Sequence, residues 1–173
     1  MGYNKNPLYG SNSFDHNQSQ ILHATAVQST HSDSTDAADL CSFSIPADKL
    51  EVGDILRISV RATVTDNNST DTLTPILNFG GTAIATGAAL DVNDSDVIWA
   101  DAIVSVTAIG ASGTMTAHSE IRTDAAAATV VYATTALTSK DTTGALAIAL
   151  NVDWSVAHAE NIVRLDSFIV ELI

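Results

Sequence analysis

Basic side chains, glutamate, aromatics and cysteine are all scarce in this 173-residue sequence, and each scarcity closes off a class of function. Seven Lys and Arg stand against 20 Asp and Glu, a formal net charge of −13. Gripping a phosphate backbone needs clustered cations, and an acidic field repels nucleic acid and anionic membranes alike, so neither is an expected partner. The one cysteine, Cys41, has no mate for an internal disulfide. Aromatics make up 5% of the chain, with Trp99 and Trp154 its two tryptophans, which leaves little to stack against sugars. No uninterrupted apolar stretch reaches the length of a membrane-spanning helix. The opening segment, residues 1–20, is polar and lacks the apolar stretch of a secretory signal, so none is expected. Four Asn-x-Ser/Thr sequences, at Asn17, Asn67, Asn68 and Asn93, read as surface loops.

What the sequence has in quantity is Ala (26 residues), Thr (20 residues) and a hydrophobic period of two. Over 54–66, Leu56, Ile58, Val60, Ala62 and Val64 alternate with Arg57, Ser59, Arg61, Thr63 and Thr65. Only a pleated chain sends alternate side chains to opposite faces, so this is a half-buried strand. Segments 114–122, 145–154 and 167–172 alternate in the same way, the last two placing Trp154 and then Phe168, Val170 and Leu172 inward. Further strands are expected near 20–29, 39–46, 72–80, 97–109 and 128–138. Turn-forming clusters at Asp66–Ser69, Gly80-Gly81, Gly110–Gly113 and Asp141–Gly144 separate them. Only Ala83–Leu90 and Ser155–Asn161 leave room for short helices. The expected fold is all-β, an antiparallel jelly-roll-like sandwich of about eight or nine strands over 20–173. Residues 1–19 are polar and aperiodic and carry Tyr3, Tyr9 and Phe14; they read as an extended arm whose aromatics anchor it on a neighbour, a disordered terminus being the alternative. In 97–109 both alternating faces are substantially apolar, one of them with Asp101, Ser105 and Thr107 among its apolar residues, which points to a cover on each side, from this fold or from another copy.

A search for reactive chemistry finds no constellation. No Gly-x-Ser-x-Gly elbow, HExxH pair or Gly-rich phosphate loop occurs. His118 falls on the polar face of its strand, as a solvated imidazole would. Cys41 alternates with Phe43 and Ile45 and behaves as a small core hydrophobe. No cofactor is expected. No metal is expected either, the candidate calcium loop being Asp91, Asp94 and Asp96, whose spaced carboxylates suit a hard cation. That loop lacks the central Gly and distal Glu of an EF-hand, and a solvated acidic loop is the alternative. Glycoside cleavage would need two carboxylates at a fixed separation, from a chain with sixteen Asp and four Glu. The chain is not expected to be an enzyme.

One segment carries a resemblance. Ser44-Ile45-Pro46-Ala47-Asp48-Lys49-Leu50-Glu51-Val52-Gly53-Asp54-Ile55-Leu56-Arg57-Ile58 resembles the Ile-Pro-Ala-x-x-Leu-x-x-Gly-Asp-x-Leu-Arg-Ile turn-and-strand of jelly-roll virion proteins of tailed bacteriophages, among them head decoration (cement) proteins and fibre or spike modules. The polar hairpin 66–71, Asn78–Gly81, the Trp99 strand, Asp153-Trp154 and the closing strand 168–173 are also similar. The resemblance implies a homotrimer on the outer capsid surface of a virion, bound to the major capsid protein. The arm, through Tyr3, Tyr9 and Phe14, would lie across capsid or neighbouring subunits. It leaves open a fibre or spike module that recognises a host glycan or protein, with Asp91–Asp96 and Tyr132 as candidate contacts. A carbohydrate-active enzyme is the third reading.

Overall fold

A computed structural model describes residues 19–68, 70–125 and 130–173. Twelve strands and no helix form among them: β1 (Gln20–Thr25), β2 (Thr30–Ser32), β3 (Ala38–Ile45), β4 (Ile55–Asp66), β5 (Thr72–Phe79), β6 (Thr82–Thr86), β7 (Leu90–Asp91), β8 (Val97–Ala108), β9 (Gly113–Thr123), β10 (Val131–Lys140), β11 (Leu146–Trp154) and β12 (Ile162–Leu172). The large sheet runs β1-β12-β4-β8-β9-β10, with β2 on β12. The small one runs β3-β11-β5-β6, with β7 on β5. All pairs are antiparallel, and four of them nest: β1 with β12, β3 with β11, β4 with β8, β5 with β6. Such nesting is a long hairpin folded over on itself, the connectivity of a jelly roll. Hairpin β9–β10 is an addition that widens the large sheet.

The period of two fixes which side chains meet between the sheets. Leu56, Ile58, Val60, Ala62 and Val64 of β4 are fully buried, as are Phe168 and Val170 of β12. Phe79 and Trp154 answer them from the small sheet. Burial of such side chains contributes about 1.5–3 kcal/mol each, enough in sum to offset the ordering of the strands. Hairpin β9–β10 curls over the edge of β6: the hydroxyls of Ser119 and Thr135 donate to the Ile84 carbonyl at 2.6 and 3.2 Å. An open sheet edge invites pairing with other chains, and these bonds occupy one carbonyl of that edge. They also account for a serine at an inward, buried position.

Four expectations need correction. Ala83–Leu90 is not helical; it supplies β6 and β7, because pairing with β5 outweighs the weak helix preference of a few alanines. The bend between them is held by Gly87, whose N–H donates to the Pro75 carbonyl at 2.8 Å, and a Cβ there would sit 2.8 Å from the Pro75 ring. Ser155–Asn161 is a loop. Segment 66–71 is not a hairpin, since β4 lies in the large sheet and β5 in the small one, so it carries the chain between sheets. The strand expected over 20–29 ends at Thr25, and of 128–138 residues 128 and 129 lie outside the described residues.

The resembling segment 44–58 is another such crossing, from β3 to β4. The buried Asp54 carboxylate accepts the Glu51 N–H at 2.8 Å, and Gly53, at φ 100°, donates its N–H to the Val106 carbonyl at 2.9 Å. A positive φ explains the glycine and the inward carboxylate explains the aspartate. Ile173 donates its N–H to the Ile55 carbonyl, and Gln20 pairs with Leu172. The 51–54 turn, the β8–β9 turn, the last residue and the start of β1 therefore share one end of the sandwich.

Candidate functional site on the outer face of the large sheet

All four arginines of the chain project from the outer face of the large sheet, each beside a carboxylate. Arg57 of β4 binds Glu171 of β12, Arg61 of β4 lies 3.0 Å from Asp101 of β8, Arg122 lies 3.4 Å from Glu120 on β9, and Arg164 lies 3.0 Å from Asp166 on β12. These four pairs cancel one another, on a chain whose net charge is −13. Exposed pairs of this kind contribute only about 0.2–1 kcal/mol each to stability. Their effect is to hold side chains in place on an electrically balanced surface.

Strand register sets the layout. Asp101, Glu120 and Tyr132 lie abreast on β8, β9 and β10, and Ile103, His118 and Thr134 form the next row. Arg57 on β4 stands opposite Ile103. Together they line a shallow groove of about 560 Å³. Tyr132 forms an exposed wall, with 74% of its surface open. Beside the groove the Arg122 guanidinium covers the Trp99 ring at 4.9 Å.

Several polar groups in the groove are held by one atom. Asp101 Oδ1 accepts from Ser59 Oγ at 2.7 Å and from Arg61 at 3.0 Å. His118 Nδ1 and Thr134 Oγ1 share a hydrogen bond of 3.1 Å. Among the described residues Asp101 Oδ2, Glu120 Oε2 and His118 Nε2 have no protein partner. The strand 97–109 thus has one side in the core, while the other, with Trp99, Asp101 and Ile103, is half-buried at this surface.

Candidate residues read from the sequence fare unevenly. Tyr3, Tyr9 and Phe14 lie outside the described residues. Asp91 and Asp94 are exposed, while Asp96 Oδ2 accepts the Asn93 N–H at 2.7 Å and so shapes its own loop. Among the described residues no three His, Cys, Asp or Glu side chains gather as metal ligands would. Cys41 is buried, and burial, helped by the charge of Asp39 and opposed by a hydrogen bond with the Leu150 backbone, pushes its thiol up to about 11. Tyr132, expected as a contact at one end of the sandwich, is exposed but stands on the outer face of the large sheet, and nothing in the sequence places Asp101, Glu120 and His118 beside it.

No family model matches the chain, and no curated protein does. Among solved structures it is similar to the C-terminal domain of EclA, a sugar-binding protein, at 9% identity and a TM-score of 0.40, over 87% of this chain and 81% of that one. It is similar to a GH43 glycoside hydrolase engineered for endo-xylanase and exo-arabinofuranosidase activity, at 14% identity and a TM-score of 0.42 over 92% of this chain, which spans 37% of that enzyme. A third is the CBM2 module of the evolved Dit of Lactobacillus casei BL23 phage J-1, at 10% identity and a TM-score of 0.32, over 75% of this chain and 67% of that one.

Proposed function

We propose that this protein is a structural component of a phage particle: a non-catalytic decoration module that binds the outside of the head, contacts the major capsid protein and stabilises the shell as a homotrimer. The observation that carries the reading is the apolar end of the sandwich. Val52, Ile109 and Ile173 are 63%, 48% and 47% exposed there, and the chain enters β1 at the same end. Large aliphatic side chains exposed on an acidic protein favour burial against a partner. An arm of residues 1–19 would leave from beside that patch, so arm and patch would grip one target. The turn-and-strand 44–58 that resembles decoration proteins builds this end. Attachment to the assembled head alone stabilises it by mass action, and three linked copies multiply weak contacts through avidity.

The test pairs native mass with cosedimentation on empty heads. The intact protein is expected to sediment with heads as a trimer. Removing residues 1–19, or substituting Val52→Asp together with Ile109→Asp, should abolish sedimentation while thermal melting stays unchanged. A monomer indifferent to heads overturns the reading.

A further inference from the structure

We infer that the groove on the outer face of the large sheet is a binding site for a neutral oligosaccharide. The inference is independent of attachment to a head, which uses the end of the sandwich and not this face.

The wall comes first. Tyr132 is the most exposed aromatic among the described residues, standing on β10 with 74% of its surface open. An amphipathic ring held upright by a strand offers an apolar plate and a polar edge, at low entropic cost because it has two rotatable bonds. A pyranose, with one C–H-rich face and a rim of hydroxyls, matches such a plate. Ile103 supplies an apolar floor beside it.

The polar groups then match the hydroxyl rim. Asp101 is fixed through Oδ1 by Ser59 and Arg61 and His118 through Nδ1 by Thr134, while Glu120 Oε1 lies 3.4 Å from Arg122 in an ion pair. Each keeps its second polar atom for a ligand. Oδ2 and Oε2 accept from sugar hydroxyls, while Nε2 serves a hydroxyl as donor or acceptor according to tautomer. Groups oriented before the ligand arrives lose little freedom when it binds. From β4 to β10 the site crosses four neighbouring strands, about 14 Å at the usual interstrand spacing, so a short oligosaccharide lies across the strands. Its volume of about 560 Å³ falls within the range of small-molecule sites.

Charge sets the class. The chain at −13 repels anionic glycans, and two carboxylates with open oxygens face the ligand, so a neutral sugar is favoured over a sulfated or sialylated one. The arginines that would attract an anion are already paired.

An array of neutral and anionic oligosaccharides, followed by calorimetric titration with the best neutral trisaccharide, tests this. Binding to neutral glycans is expected, weakened about tenfold or more by Tyr132→Ala and by Glu120→Gln, and largely kept by Tyr132→Phe. Melting temperature and native mass of the variants should match the parent. A folded protein that retains no glycan overturns the inference, as do hits confined to anionic glycans or neutral binding that survives Tyr132→Ala. If Tyr132→Ala instead breaks an oligomer, the face belongs to a second copy and the inference also falls. Head sedimentation of the same variants should be normal; its loss in the parent as well would count against the decoration reading and leave the groove untouched.

Discussion

Arg122 and Trp99 are register partners on β9 and β8, and the guanidinium carbon of the first lies 4.9 Å from the ring centroid of the second. The contact joins the balanced charges of the outer face to the half-buried indole beneath them. Because Arg122 also reaches Glu120 at 3.4 Å, one side chain orders two others.

Arg122→Ala should therefore cost about 0.5–1 kcal/mol, the range of an exposed cation–π contact. It should also open Trp99 to solvent. Trp154 is 1% exposed, so acrylamide quenching of native fluorescence reports on Trp99 almost alone. Quenching is expected to rise in the variant; an unchanged quenching constant would show that the cover is not formed in solution.

Much of the fold is legible in the sequence because the side-chain period of two survives burial. Leu56 to Val64 and Phe168 to Leu172 are buried as their alternation requires. What alternation cannot encode is which sheet a strand joins. Segment 66–71 has hairpin chemistry and yet passes between sheets, because strand pairing is settled by core packing far away in sequence. β2 and β7 are too short to show any period. The groove is hidden for the same reason: Arg57, Asp101, His118 and Tyr132 meet only through the register of β4, β8, β9 and β10. Their outward phase was visible; their adjacency was not.

Asn161 is fully buried and bridges two crossings. Its Nδ2 donates to Asp71 Oδ2 and to the Val156 carbonyl, both at 2.9 Å, and its Oδ1 accepts the Asn68 N–H at 3.0 Å. Asn161→Ala strips partners from a buried carboxylate, a carbonyl and an N–H at once. Leaving buried polar groups unmet costs about 1–3 kcal/mol each where water cannot enter, so a loss of about 3 kcal/mol is expected in urea unfolding. Asn161→Asp places a second carboxylate beside Asp71 and should be worse. A loss under about 1 kcal/mol for Asn161→Ala would mean that water replaces the side chain.

Cys41 should be silent in the native protein. With the thiol pushed up to about 11, only about one in ten thousand is ionised at pH 7, and the thiolate is the reactive form. Ellman's reagent is expected to react only after denaturant unfolds the sandwich, with one equivalent per chain. Prompt reaction of the native protein would show that β3 opens far more often than its core position allows.

His23 gives the fold a pH dependence whose direction follows from its packing. The imidazole lies 4.9 Å from the rings of both Phe43 and Phe168, and burial holds its pKa below the ordinary value. In the unfolded chain the same group titrates near 6.5. Between the two values the unfolded state binds a proton that the folded state refuses, so stability rises with pH across that interval. The contribution is constant above about 6.5 and is lost progressively as pH falls from there towards the lower, folded pKa. His23→Phe keeps a ring against Phe43 and Phe168 and removes the titration, so the slope of urea midpoint against pH below about 6.5 should flatten relative to the parent. An identical slope in both proteins would place the acid sensitivity elsewhere. A steeper parent slope, with equal stability at pH 8, would assign it to the point where β1 meets both sheets.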